Sequence, residues 1–319
     1  MRIAFVGKGG SGKTTLAALF IRELARLGRP ALAVDADINQ HLGAALGLGE
    51  AELAALAPMS AVLPEIKEHL RGSNPRIPAA AQMVKTTPPG EGSRLVRFAE
   101  PSPLDAWCTL ALGGELAGVR LMVTGAFAEQ DLGVSCYHSK VGAAELYLNH
   151  LVDGPGEYCV LDMTAGADAF ASGLFTRFDV TFLVAEPTRK SISVYRQYTE
   201  YAAEYGIAVR VVGNKVADED DVAFLRAEVG SDLVGWLGDS RYVRALDRGG
   251  RPEFGSFEPA GRELLARMLA EVDATVRDHA RMTELAHLFH TKNALAWANR
   301  AAGTDVALQI DPGFAVPAV

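Results

Sequence analysis

The stretch Gly7-Lys8-Gly9-Gly10-Ser11-Gly12-Lys13-Thr14-Thr15 constrains this chain more than any other, because it follows the apolar run Ile3–Val6 and precedes a helical pattern from Leu16 to Leu27. Strand, glycine loop and helix in that order make a phosphate-binding unit. Glycines let successive backbone N–H groups turn inward around phosphate oxygens, and the helix adds the positive end of its dipole. The pattern puts Lys13 on the β- and γ-phosphates and Thr14 on Mg²⁺. Gly9, Gly10, Ser11, Gly12 and Thr15 then cradle the phosphates. A glycine-rich turn without chemistry would explain neither lysine.

Strand-like runs recur at Ile3–Val6, Ala31–Val34, Arg120–Val123, Tyr158–Leu161, Val180–Val184, Val209–Val212 and Leu233–Leu237, mostly with helical patterns between them. Short continuous apolar strands alternating with helices predict an α/β fold, a doubly wound and mainly parallel sheet of about seven strands flanked by helices. Ligands on such sheets sit at the carboxyl ends of the strands. Residues 49–118 read as an insertion, with two helices around Glu50–Leu56 and Ala61–Leu70. Pro75, Pro78, Pro88, Pro89, Pro101 and Pro103 follow, a density that breaks regular structure. This segment is expected to be partly mobile and to lie over the nucleotide or partner face. From Glu258 a helical pattern continues to Ala302 and ends at Gly303, and the alternation at Val306–Ile310 suggests an edge strand or an arm onto a partner subunit. The expected division is an ATPase domain over 1–257 and a C-terminal helix and tail extension over 258–319.

An apolar content of 49% over 319 residues suffices for a buried core, so a soluble globular protein is expected. A net charge of -8 argues against nucleic-acid binding driven by bulk charge. No apolar run nears the ~18 residues of a membrane span. The first strand begins at once, so no leader is expected and the cytoplasm is the expected location. Cys108, Cys136 and Cys159 cannot build a disulfide framework, which leaves them packing, redox or metal roles.

Three further motifs fall at strand ends. Asp35 and Asp37 follow the second strand, two carboxylates able to face a γ-phosphate and its metal; an acidic loop that caps a helix is the alternative, stronger for Asp35. Tyr158–Leu161 ends in Asp162, and Met163-Thr164-Ala165-Gly166 follows. Asp162 thus reads as the aspartate that binds a Mg²⁺-coordinated water, and the Gly166 N–H as a sensor of the γ-phosphate. Asn214 and Lys215 follow another strand, and the Asn214 amide suits a purine edge. A guanine reader needs an aspartate where Ala217 stands, with Asp218 one place late, so ATP is the expected nucleotide. Glu186-Pro187 and Gly238-Asp239-Ser240 end two more strands and are expected to line base and ribose.

The loop Gly133-Val134-Ser135-Cys136-Tyr137-His138 precedes a helical run from Lys140 to Leu151. Cys136 and His138 can both reach one metal ion, and a twofold dimer would supply four ligands for Ni²⁺ or Zn²⁺. Cys136 as a small buried residue with His138 starting a helix is the plainer alternative. His287 and His290 could likewise share a helix face, as ligands or as packed side chains.

Lys8, with Gly12-Lys13-Thr14, resembles the signature of the deviant Walker A ATPases, the group of the nitrogenase iron protein and the partition and division-site ATPases. That resemblance implies an ATP-dependent homodimer in which Lys8 reaches the partner's nucleotide; a solvated lysine is the alternative. It further implies Asp35 in the outer shell of Mg²⁺ and Asp37 orienting the attacking water. The Asp35-Ala36-Asp37 pair, the Gly-x-x-Cys-Tyr loop, Leu161-Asp162-Met163-x-Ala165-Gly166, Glu186-Pro187-x-Arg189-x-Ser191 and Val212-Gly213-Asn214-Lys215 are together similar to the carbon monoxide dehydrogenase nickel-insertion ATPases of the CooC type, over roughly residues 1 to 250. Those proteins carry Cys-x-Cys in the loop and bind metal between subunits, and here His138 replaces the second cysteine. The implied function is an ATP-driven metallochaperone for a metalloenzyme client, with Lys8, Lys13, Asp37 and Asp162 catalytic. The alternative is a metal-free dimeric switch that positions a protein partner. A cluster-bearing electron donor would need Cys108 beside Cys136, and a membrane-associated switch would need a basic amphipathic C-terminal helix. Neither nucleic acid nor membrane is an expected partner.

Overall fold

The structure, a computed structural model, describes residues 1–126, 138–166, 170 and 173–317, with the backbone alone at 138 and 139. The seven predicted strands are present as β1 (Arg2–Gly7), β2 (Ala31–Ala36), β5 (Val119–Val123), β7 (Tyr158–Met163), β8 (Val180–Ala185), β9 (Val209–Val216) and β10 (Leu233–Gly238). Two-residue strands supplement them: β3 (Val96–Arg97), β4 (Leu110–Ala111) and β6 (Leu151–Val152). The main sheet has eight strands in the order β10-β9-β8-β1-β7-β2-β5-β4. It is parallel except where β4 pairs with β5. A parallel sheet needs both faces covered, which is why β1, β7 and β8 are buried along their whole length.

One face carries α1 (Lys13–Arg26) and α10 (Pro259–Ala274). There Phe5, Phe20 and Phe182 meet at ring-centroid distances of 5.6 to 6.2 Å, among Leu16, Leu264 and Met268. The other face carries α6 (His138–His150), α7 (Arg189–Glu204) and α8 (Glu219–Val229).

Residues 49–118 divide between the faces: Leu56, Leu112 and Leu116 join the α1 side, and the stretch from Met59 to Cys108 packs on this second face. They form α3 (Glu50–Ala55), α4 (Leu63–Arg71) and α5 (Pro103–Cys108), after the short α2 (Leu42–Ala45). Two prolines start helices instead of breaking them: Pro103 follows the Ser102 cap in α5, and Pro64 stands in the first turn of α4, where the missing N–H has no helical partner to lose. Ile66, Leu70, Ile77, Met83, Phe98 and Leu104 are buried in the same core as the sheet. Of the two expected places for this segment, the nucleotide face or a partner face, the first finds no support: the described residues lining the cleft at the strand ends include none between 49 and 118.

The tail is not one long helix. Behind α9 (Arg241–Asp247) and α10 the chain continues through α11 (His279–Asn293), a π-helical turn over 294–298 and α12 (Asn299–Ala302). Gly303, at φ 67°, ends the run as expected. The alternating pattern at Val306–Gln309 forms a 3₁₀ turn, not an edge strand. Val306 and Ala307 serve a small core with Val84, Ala294 and Ala298, and Gln309 Oε1 accepts a hydrogen bond from Thr87 Oγ1 at 2.8 Å. His290 is buried between Thr86 Oγ1 (3.0 Å) and Val306 O (2.8 Å), so both ring nitrogens are engaged and the metal-ligand alternative for it is corrected.

Candidate nucleotide site

The loop between β1 and α1 takes the shape its glycines permit. Gly12 has φ 96°, and a Cβ there would stand 2.1 Å from Asn214 Nδ2. Asn214 uses that room to donate to Ser11 O at 2.7 Å. The amide assigned to a purine edge therefore ties the end of β9 to the phosphate loop. Gly12→Ala combines a left-handed backbone, about 1–2 kcal/mol for a non-glycine residue, with that clash. It is expected to weaken nucleotide binding at least tenfold, as read by titration with a fluorescent ATP analogue.

Lys13 Nζ lies 3.5 Å from Lys8 O, inside the loop and mostly buried. Thr14 Oγ1 donates to Asp162 Oδ2 at 2.5 Å. Asp35 and Asp162 face each other in register across β2 and β7. Both oxygens of Asp35 accept backbone N–H groups, from Asp37 at 3.2 Å and Leu42 at 2.8 Å, which is the capping arrangement. Asp37 Oδ1 accepts from Asn39 N at 2.9 Å and from Asn39 Nδ2 at 3.2 Å.

Burial pushes the Asp162 carboxyl well above the usual range, and the Asp35 charge adds to that, against the Thr14 hydrogen bond and Lys13. Burial likewise raises Asp35 to about 7, with its two backbone hydrogen bonds opposing. A group with a raised folded pKa stabilises the fold below its unfolded value, and that stability is lost as pH rises through the folded value. Without nucleotide or Mg²⁺, the melting temperature is thus expected to fall between about pH 4 and about pH 7. Asp35→Asn should flatten that slope in a pH series of thermal melts.

Asp162 Oδ1 is buried with no hydrogen-bond partner among the described residues. A carboxylate oxygen left bare beside a threonine hydroxyl and a second carboxylate fits a hard divalent cation, which supplies both missing charge and coordination. The residues present therefore fit Mg²⁺.

Glu186, at the end of β8, joins two lysines that the sequence treats separately. Lys8 Nζ donates to its Oε2 at 3.1 Å and Lys215 Nζ to its Oε1 at 2.7 Å, and Lys215 also reaches Gly10 O at 2.7 Å. The Lys215 bond first, then burial opposing it and the Lys8 bond, hold the Glu186 carboxyl below its ordinary value. The signal was present in the apolar strand Val180–Val184 that ends at Glu186, but only the sheet order puts β8 beside both β1 and β9. Asp239, read as a ribose contact, lines the cleft and accepts from Arg244 at 2.6 Å.

Lys13, Thr14, Asp37, Asn214 and Lys215 line a cleft of about 1090 Å³ that also takes in His41, Arg244 and Arg251, while Asp35 and Asp162 lie buried behind it. Cys136 lies outside the described residues, and of His138 only the backbone is described, at the start of α6. No group of three or more His, Cys, Asp or Glu able to hold a metal occurs among the described residues. Burial raises the thiols of Cys108 to about 11 and Cys159 to about 12, so neither offers a thiolate at neutral pH.

A glycine loop at the end of a central parallel strand, with threonine and aspartate converging below it, defines a nucleotide-binding ATPase of the P-loop class. Over residues 3–300 the chain matches the CobQ/CobB/MinD/ParA nucleotide binding domain, and it belongs to that family, whose members hydrolyse ATP. It is 27% identical over 282 residues to the carbon monoxide dehydrogenase accessory protein CooC of Rhodospirillum rubrum, covering 86% of this chain and 98% of that protein. Among solved structures it resembles a putative plasmid partition protein of Borrelia burgdorferi B31 bound to AMPPNP, with TM-score 0.55, 12% identity and coverage of 85% and 98%. It also resembles the septum site-determining protein MinD of Pyrococcus horikoshii OT3 complexed with Mg-ADP, with TM-score 0.51, 15% identity and coverage of 86% and 99%. At those identities the two structures show the shared fold.

Proposed function

We propose that this chain is a Mg²⁺-dependent ATP hydrolase that closes as a homodimer around ATP and matures a metalloenzyme in the cytoplasm. Its cargo is nickel or zinc, held between subunits by the Cys136 and His138 pairs. The observation that carries the hydrolase part is the convergence of Lys13, Thr14 and the bare Asp162 oxygen at one strand end. Likeness to CooC over nearly its full length supports the maturation role.

The backbone from Gly9 to Thr15 surrounds the phosphates in this reading, and Lys13 neutralises charge that builds on the β–γ bridge and γ-oxygens. Thr14, Asp162 and the Asp35 carboxylate would hold Mg²⁺, whose charge would offset that of the phosphates. Asp37, held by Asn39, accepts the hydrogen bond of the attacking water and aims it at phosphorus. Asn214, Lys215 and Asp239 border the base and ribose, with Asn214 also fixing the loop. Lys8 crosses to the partner's nucleotide. Within one subunit it rests on Glu186, a partly exposed ion pair whose loss costs little, about 0–1 kcal/mol.

Sedimentation velocity with Mg²⁺ and a non-hydrolysable ATP analogue tests the closure. The wild type should shift from monomer to dimer, and Lys8→Ala should stay monomeric while still binding the analogue. A Lys8→Ala dimer of wild-type affinity would remove Lys8 from the interface.

A further inference from the structure

The nucleotide cleft occupies the carboxyl ends of the strands. At their amino ends lies a second cavity, about 50 Å³, walled by Arg2, Arg177, Arg277, Met282, Thr283 and Phe314. On the same scale one water needs about 10–15 Å³, so the space suits one small ion.

Its charges do not balance. Asp153 accepts from Arg2 Nε at 2.8 Å, from Arg277 Nη1 at 3.0 Å and from the N-terminal ammonium at 2.8 Å, and Arg277 also pairs with Asp179 at 2.6 Å. Arg2 also donates from Nη1 and Nη2 to the Leu148 and Leu151 carbonyls. Arg177 is different. It is only 5% exposed, and among the described residues its hydrogen bonds both go to the neutral Thr176 Oγ1, at 3.1 and 2.8 Å. Burial and the Arg2 charge lower its pKa to about 10, with the Glu145 charge on α6 opposing them. Arg2, Arg277 and the N-terminal ammonium thus share Asp153 and Asp179 among themselves, and neither of those carboxylates is bonded to Arg177.

A buried guanidinium without a bonded counter-charge is costly, and its planar fork matches the paired oxygens of a carboxylate or phosphate. We propose that this cavity binds a small oxyanion, a phosphate or carboxylate, on Arg177. The ligand would brace the start of α11 against β1 and β8, on the face of the sheet remote from ATP.

The test uses the full chain saturated with Mg²⁺ and a non-hydrolysable ATP analogue, so that the phosphate loop is filled. Equilibrium dialysis against labelled inorganic phosphate, and separately against labelled acetate, at constant ionic strength should find one anion per chain. Arg177→Met should lose at least tenfold in affinity. Thr283→Trp, which puts a large side chain in place of a small one in the cavity wall and leaves the arginine in place, should lose as much. Analogue binding by each variant reports that it is folded; if Arg177→Met fails that control, Thr283→Trp decides. Binding of neither anion by the wild type, or equal binding by a folded variant, would overturn the proposal.

Discussion

Replacing Lys13 with alanine is expected to lower kcat/KM for ATP by on the order of 10²–10³. The ammonium is mostly buried within the loop and acts on Asp162 as an opposing charge, so it sits where transferred negative charge accumulates. Alanine removes that charge and leaves the backbone cradle in place. Steady-state phosphate release checks the rate, and thermal melting checks that the fold is kept. Activity within tenfold of the wild type would mean that another group neutralises the phosphates.

The second large effect is on stability. Asp153→Asn is expected to destabilise the fold by about 3–5 kcal/mol, the cost of breaking a buried pair and leaving its partners charged. The carboxylate is fully buried and meets Arg2, Arg277 and the N-terminal ammonium. Burial alone would raise its pKa, but those charges outweigh burial and hold it far below the ordinary carboxylate range. A depressed folded pKa gives stability that is present above the unfolded value near pH 4 and is lost as pH falls. Urea titrations should therefore show the variant weaker at pH 7 and missing much of the wild type's acid-side slope.

Local chemistry was the legible part of this chain. The phosphate loop, Asp162 and the seven long strands each carry their signal in a few adjacent residues, and the strands have their predicted places. What depended on sheet order was not legible. Glu186 bridges Lys8 and Lys215 because β8 lies between β1 and β9, and Asn214 turns to Ser11 because Gly12 leaves space for it. Residues 49–118 were read through their prolines, whereas Ile66, Leu70 and Leu104 tie them to the core. The five-residue alternation at Val306–Ile310 fits a strand and a 3₁₀ turn equally, and burial of Val306 against Ala294 and Ala298 selected the turn. In the same way the carboxylates Asp153 and Asp179 say nothing in sequence of the arginines they meet.

The central claim, an ATP-closed dimer that carries a metal ion, is tested most directly by native mass spectrometry. Wild type and Cys136→Ser are compared with Ni²⁺ or Zn²⁺ and a non-hydrolysable ATP analogue. The account predicts one transition-metal ion per nucleotide-loaded dimer of the wild type and none in the variant. A nucleotide-loaded dimer without metal, or one whose metal survives the substitution, would contradict it and leave an ATP-dependent switch acting on a protein partner.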